Sequence, residues 1–345
     1  MKILFSTYLP VTMLSGGPKV QISQTSIELK KLGVDVKYFD QWKTTNLKEF
    51  DLVHLFAANI GTYHFARILK QQNIPFVVSP IIFSQRNNFT IKLSNIFTNT
   101  IKNIKPGFYS DFQIAEDICN WSKHILPNTS DELLLVQKGL NIPSDKITLI
   151  PNGVESKFLN GNKNLFKKKY KIENFLLNVG HIGPERKNIY RLLKAIENTN
   201  HKLVIIGRIS KDSSGEKCTN LAKNNRNVLL IDSINHDSQL LQSAYSSCSA
   251  FVLPSLFETP GIAALEAALS GAPIVITEKG GTRDYFQNFA HYVNPLSTKN
   301  ILGGINSALS GKQNDELKNH IKNNFLWSHV AKKTMDVYKY IISNK

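Results

Sequence analysis

Two glutamates, Glu258 and Glu266, stand with seven residues between them in a stretch that begins Ala250-Phe251-Val252-Leu253-Pro254-Ser255 and passes through Thr259-Pro260-Gly261-Ile262. An aliphatic run that breaks at Pro-Ser and resumes after Pro-Gly predicts a strand over 250–253, a loop, and a helix over 262–270. Glu258 then precedes the helix at the mouth of a sheet, and Glu266 lies in its second turn. The N–H groups around Gly261 and Ile262, reached past Thr259 and Pro260, combine with the helix dipole into an anion site suited to a diphosphate. Carboxylates beside such a site accept hydrogen bonds from hydroxyls, as a ribose or a sugar would offer. Spacing alone also allows a solvated loop acid followed by a helix-surface acid.

The elements that must hold these residues follow from an alternation of short β-branched or aliphatic runs with helical stretches, the pattern of a parallel sheet covered by helices. Runs at 3–5, 34–39, 52–55, 76–78, 124–126 and 147–150 predict the strands of a first unit. Pro18 suits a first helical position and Gly33 a helix C-terminus. Pro151-Asn152-Gly153 is a turn that opens a second series, with strands over 175–179, 203–206, 228–231, 250–253, 273–276 and 292–293. The expectation is an α/β chain with two Rossmann-like domains facing across a cleft. Ligands of such sheets bind at the carboxyl ends of the strands.

The segment from Pro254 to Val275 resembles the retaining glycosyltransferases of family 4, which have the GT-B fold. Its matching elements are Pro254-Ser255, the Glu258 and Glu266 pair, Glu266-Ala267-Ala268 and Gly271-Ala272-Pro273-Ile274-Val275. Further stretches resemble family loops in the expected order: Ser15-Gly16-Gly17, Leu126-Pro127-Asn128-Thr129-Ser130, Ile150-Pro151-Asn152-Gly153-Val154, Val179-Gly180-His181-Ile182-Gly183-Pro184-Glu185-Arg186-Lys187-Asn188, and Phe325-Leu326-Trp327-Ser328 before a helix bearing Tyr338. The resemblance implies an N-terminal acceptor-side domain over 1–153, a nucleotide-sugar-binding domain over 154–325, and a C-terminal helix over 326–345 that returns to the first domain. It implies that Glu258 binds donor-sugar hydroxyls near the reacting carbon and is the catalytic residue. Glu266 would hold the nucleotide ribose, and Arg186 and Lys187 the diphosphate. Gly16, Gly17, His181, Thr259, Pro260, Gly261 and Ile262 would be further donor contacts. No D-x-D motif is present, and the family implies transfer without a metal ion or other cofactor, the nucleotide-sugar being the donor substrate. Two departures stand out. His181 replaces a common Arg, and no His follows the strand at 76–78, leaving backbone groups or Ser79 as candidates for its place near the donor sugar.

The chain has 345 residues, 42% hydrophobic and 20% charged, which excludes a disordered chain or a small disulfide scaffold. Its three cysteines have no C-x-x-C spacing, so neither a disulfide framework nor a zinc knuckle is indicated. A secretory signal is a poor reading of the start, because Ser, Thr, Tyr and Pro dilute the apolar run. The net charge of +16 is uneven: 16 basic against 11 acidic residues over 1–150, 16 against 6 over 151–230, and 10 against 9 over 231–345. That excess favours phosphorylated ligands, polyanions or anionic membrane surfaces. Residues 52–110 contain no Asp or Glu. Within them Phe89, Leu93, Ile96, Phe97, Ile101 and Ile104 recur at helical spacing among basic residues, so the block at 85–108 is either a helix meeting anionic lipid or a lipid-diphosphate acceptor, or an amphipathic helix packed on the first domain. The function expected is sugar transfer from a nucleotide-sugar to a glycan or lipid-diphosphate-linked acceptor in bacterial surface polysaccharide synthesis, in the cytoplasm or on the inner face of the membrane. A nucleotide-sugar epimerase of like fold is the alternative enzyme. A basic nucleic-acid-binding protein is disfavoured by the lack of a basic helix or an aromatic ribonucleoprotein motif, and a dehydrogenase by the lack of G-x-G-x-x-G after the first strand.

Overall fold

The computed structural model describes residues 1–13, 16–104, 109–311 and 315–344, in two units: Met1–Gly153 with Trp327–Lys345, and Val154–Leu326. In the first unit the strands are β1 (Lys2–Thr7), β2 (Asp35–Tyr38), β3 (Leu52–Phe56), β4 (Phe76–Ser79) and β5 (His124–Ile125). The helices are α1 (Gly17–Lys31), α2 (Ile60–Gln71), α3 (Asn88–Ile104), α4 (Asp111–Trp121) and α5 (Ser130–Leu134). All strand pairs are parallel, in the order β2-β1-β3-β4-β5. Every residue of β3 is buried, as helices on both faces of a parallel sheet require.

The strand predicted over 147–150 does not form. Ile147 makes one bridge to Ile125, and the Thr148 and Ile150 N–H groups donate to the carbonyls of Ile125 and Pro127 at 3.0 and 2.9 Å. Pro127 has no N–H to return, and β5 is only two residues long, so no ladder propagates. The C-terminal helix (Trp327–Ser343) packs along α1 and buries Trp327 and Tyr338. Tyr338 meets His54 Nδ1 at 2.5 Å, and His54 Nε2 meets Ser79 Oγ at 3.0 Å. Burial depresses the His54 pKa to about 3, so this imidazole is a neutral link between the sheet and the closing helix.

The second unit contains β6 (Phe175–Val179), β7 (Lys202–Ile206), β8 (Val228–Ile231), β9 (Ala250–Leu253), β10 (Ile274–Thr277) and β11 (His291–Val293). Its helices are α6 (Lys163–Tyr170), α7 (Ile189–Ile196), α8 (Ser213–Lys223), α9 (Gln239–Ser247), α10 (Ile262–Leu269), α11 (Thr282–Phe286), α12 (Thr298–Ser310) and α13 (Asp315–Asn324). The parallel sheet runs β11-β10-β9-β6-β7-β8. The chain winds outward one way from β6 and the other way from β9, so these neighbours form the switch point where open α/β sheets bind ligands. Val154 and Leu326 pair by a single bridge where the chain enters and leaves this unit. Among the described residues, no helix is long and apolar enough to cross a membrane.

Candidate functional site

Loops after β6 and β9 meet at the switch point of the second unit. The backbone ties them: Leu256 N–H donates to the Arg186 carbonyl at 2.8 Å. The Asn188 amide donates to the carbonyls of Pro254 and Pro295 at 2.7 Å each, from a left-handed backbone that Asn tolerates. This lattice sets Lys187 Nζ 2.6 Å from Glu258 Oε1 and Arg186 Nη1 3.5 Å from Glu258 Oε2. Glu258 is 5% exposed. Burial alone would raise its pKa, but the charges of Lys187 and Arg186 outweigh it and hold the carboxyl below its ordinary value. It is therefore an ionised, nearly dry carboxylate near neutral pH.

A third loop fixes Glu258 from behind. Its N–H donates to the Lys279 carbonyl at 3.1 Å, and a Cβ on Gly280 would come within 2.1 Å of the Glu258 carbonyl oxygen. With φ at +85°, Gly280 is a position only glycine fills without displacing the acid. Gly261 also has positive φ, +77°, and turns the chain from the loop into α10. Thr259 and Ile262 are partly exposed around it and Pro260 is buried. The Ala264 and Leu265 N–H groups donate to the Gly261 carbonyl at 2.8 and 3.2 Å, while those of Ile262 and Ala263 begin the helix and have no carbonyl one turn back to receive them.

Glu266, one turn into α10, is 4% exposed and has different neighbours. Its Oε1 takes a hydrogen bond from His236 Nε2 at 2.6 Å, and its Oε2 one from the Tyr245 hydroxyl at 2.6 Å. The other ring nitrogen of His236 lies 3.5 Å from Glu155 Oε2 and 3.2 Å from Lys157 Nζ. The hydrogen bond to Glu266 raises the His236 pKa; burial and Lys157 oppose this, and Glu155 assists.

The structure thus gathers Arg186, Lys187 and Glu258 into one cluster, and places Glu266 in a second. His181 is exposed after β6, its pKa lowered by burial and then by Lys187, Arg208 and Arg186. Gly16 and Gly17 belong to the first unit, where Gly17 opens α1. Gly16 has extended backbone, φ 173°, and a Cβ there would make only an ordinary contact, 3.9 Å from Pro18 Cδ. Ser15 lies outside the described residues. Ser79, a candidate for the missing histidine's place, is 4% exposed with its hydroxyl on His54. Sequence reasoning passed over four residues: Arg208 directly after β7, His236 after β8, Tyr245 on α9 and Gly280 after β10. Their position just beyond predicted strand ends was a signal for all but Tyr245.

Two parallel-sheet Rossmann-like units in one chain define the GT-B fold, which solved glycosyltransferases share; the sucrose-phosphate synthase of Thermosynechococcus elongatus aligns over 100% of both chains with a TM-score of 0.80 at 14% identity. Residues 162–327, almost the whole second unit, match the family described as glycosyl transferases group 1, in keeping with the glycosyltransferase resemblance of the sequence. An uncharacterized glycosyltransferase of Methanocaldococcus jannaschii is 28% identical over 68% of this chain and 65% of its own length. The O-antigen chain mannosyltransferase RfbU of Salmonella typhimurium is 28% identical over 63% of this chain and 62% of its own. The chain thus spans just under two thirds of each of these relatives.

Proposed function

We propose that the protein is a glycosyltransferase that moves a sugar from a nucleotide-sugar donor, with retention at the anomeric carbon and without a metal ion, to a glycan or lipid-diphosphate-linked acceptor of a bacterial surface polysaccharide. The observation that carries this reading is the pairing of half-buried Lys187 with buried Glu258 at the switch point between β6 and β9. An ionised acid beside two cations suits a reaction that develops positive charge on the sugar and negative charge on a departing diphosphate. Glu258 faces the first and orients the sugar hydroxyls. Arg186 and Lys187, with Arg208 and the N-terminus of α10, face the second. Glu266 accepts from the ribose hydroxyls, held in place by His236 and Tyr245. The likeness to an O-antigen mannosyltransferase supports the assignment to surface polysaccharide. On this reading the enzyme works on the cytoplasmic face of a membrane.

A thermal-shift screen against UDP-, GDP- and ADP-sugars tests the donor class. One nucleotide should raise the melting temperature, since a ligand at a hundredfold excess over its Kd adds about 2.7 kcal/mol to the native state. Release of the matching nucleoside diphosphate should continue in EDTA. The reading is overturned if no sugar nucleotide stabilises or reacts, or if EDTA stops turnover and magnesium restores it.

A further inference from the structure

Helix α3 carries its apolar stripe on the outside. Ile91, Asn95 and Thr98, only 1%, 3% and 4% exposed, face the body of the first unit. There α3 packs on α4 and on the turn at 135–139, and the Asn95 amide donates to Glu116 at 2.8 Å. Phe89, Leu93, Ile96 and Phe97 are instead 66%, 50%, 54% and 67% exposed. Their spacing of four, three and one places them along one side of the helix. A helix packed in the ordinary way would reverse this pattern. Of the two readings of the stripe, the packed helix does not hold for these four residues. Lys105 and residues 106–108 lie outside the described residues, as do the side chains of Lys102 and Ile104.

Charge selects what covers the stripe. Arg86 is exposed just before α3 and Lys92 is partly exposed within it. Nearby carboxylates are already engaged: Glu116 with Asn95, and Glu132 with the N–H groups of Ile82 and Asn128 at 2.8 and 2.7 Å. Other strongly exposed apolar side chains of this unit, Leu9, Met13, Trp42 and Ile60, are between 62% and 87% exposed. They lie in segments after β1, β2 and β3, which in a parallel sheet leave at the same edge as the segment leading from β4 to α3. A helix flanked by basic side chains, with no acid of its own and with large apolar side chains on one face, matches an anionic bilayer better than an acidic protein groove, which would pair cations without needing four large apolar groups.

We infer that α3 docks this protein on an anionic phospholipid surface, with Phe89, Leu93, Ile96 and Phe97 at the acyl boundary and Arg86 and Lys92 among the headgroup phosphates. The inference depends on the proposed function only for its purpose, which is to bring the first unit to a lipid-linked acceptor. Flotation of the full chain with vesicles of phosphatidylcholine alone, and with added phosphatidylglycerol, tests it. Binding to the anionic vesicles should be stronger by roughly fivefold per engaged basic residue and should weaken with salt. F89S/F97S should lower it by about tenfold or more, and R86E/K92E should erase the preference for anionic lipid. Both variants should keep the thermal shift with a nucleotide-sugar, since none of the residues assigned to the donor is changed, so failure of the donor assignment is distinguishable from failure here. Equal binding to both vesicle types, no binding, or variants that bind like the natural chain would overturn the inference. So would concentration-dependent dimerisation abolished by F89S/F97S without vesicle binding, which would make a second copy the occupant.

Discussion

Glu258 and Glu266 begin as a matched pair in the sequence and end as opposites in the fold. Both are about 5% exposed, so both carboxyl groups depend on neighbours to replace the water they have lost. Around Glu258 those neighbours are the cations of Lys187 and Arg186, from a loop that the sheet order brings beside it. Around Glu266 they are hydrogen-bond donors, His236 and Tyr245, that fix each oxygen in direction. A carboxylate balanced by side-chain cations can exchange them for a ligand's charge as a reaction proceeds. One clamped at both oxygens is an oriented acceptor whose geometry changes little. The difference assigns Glu258 to charge that appears during turnover and Glu266 to a group that stays the same throughout.

The largest effect that would break this division is on Glu258. E258Q keeps the side chain's size and loses its charge, and should lower kcat by about 10² or more, measured by release of nucleoside diphosphate. K187A removes the cation while leaving the acid buried, so it should destabilise the fold by about 3–5 kcal/mol as well as slow turnover. The resemblance implies a role for Lys187 on the diphosphate; its pairing with Glu258 adds this second role in the fold. Adding E258Q to K187A should recover much of the lost stability in chemical denaturation, because no unpaired charge then remains buried. If the two substitutions are additive, the pair is not coupled.

A smaller effect concerns His236. Its pKa is raised in the native state by Glu266, so its contribution to stability is fully present below its unfolded value and fades as pH rises through the native one. Thermal melts should therefore show a loss of stability on going from mildly acidic to alkaline pH that H236Q largely removes. His236 is 41% exposed in its side chain, which keeps the effect modest. A pH profile identical in the two proteins would remove His236 from the charge balance at Glu266.

Much of the fold was legible because parallel strands buried on both faces read as short aliphatic runs, and β6 to β11 fall within about a residue of their predicted positions. Loop residues with punctuating Pro and Gly, such as those from Pro254 to Gly261, were legible for the same local reason. The strand over 147–150 was misread because strand formation depends on a partner ladder that Pro127 interrupts. Tyr245 was invisible because its hydroxyl matters only through the crossing of α9 over α10. The apolar stripe of α3 was visible as a stripe, but periodicity does not say which side the rest of the chain covers.

The division of labour between the two acids is tested most directly by calorimetric binding of the donor's parts. With the nucleotide found by the screen, E258Q should bind the bare nucleoside diphosphate at least as tightly as the natural chain, since Lys187 is then freed for phosphate, and should lose the extra affinity conferred by the sugar. E266Q should weaken binding of the diphosphate and of the sugar nucleotide alike, by about tenfold, and that loss should vanish with a 2′,3′-dideoxynucleotide, which offers no ribose hydroxyls. Equal losses in the two variants for every ligand would contradict the account.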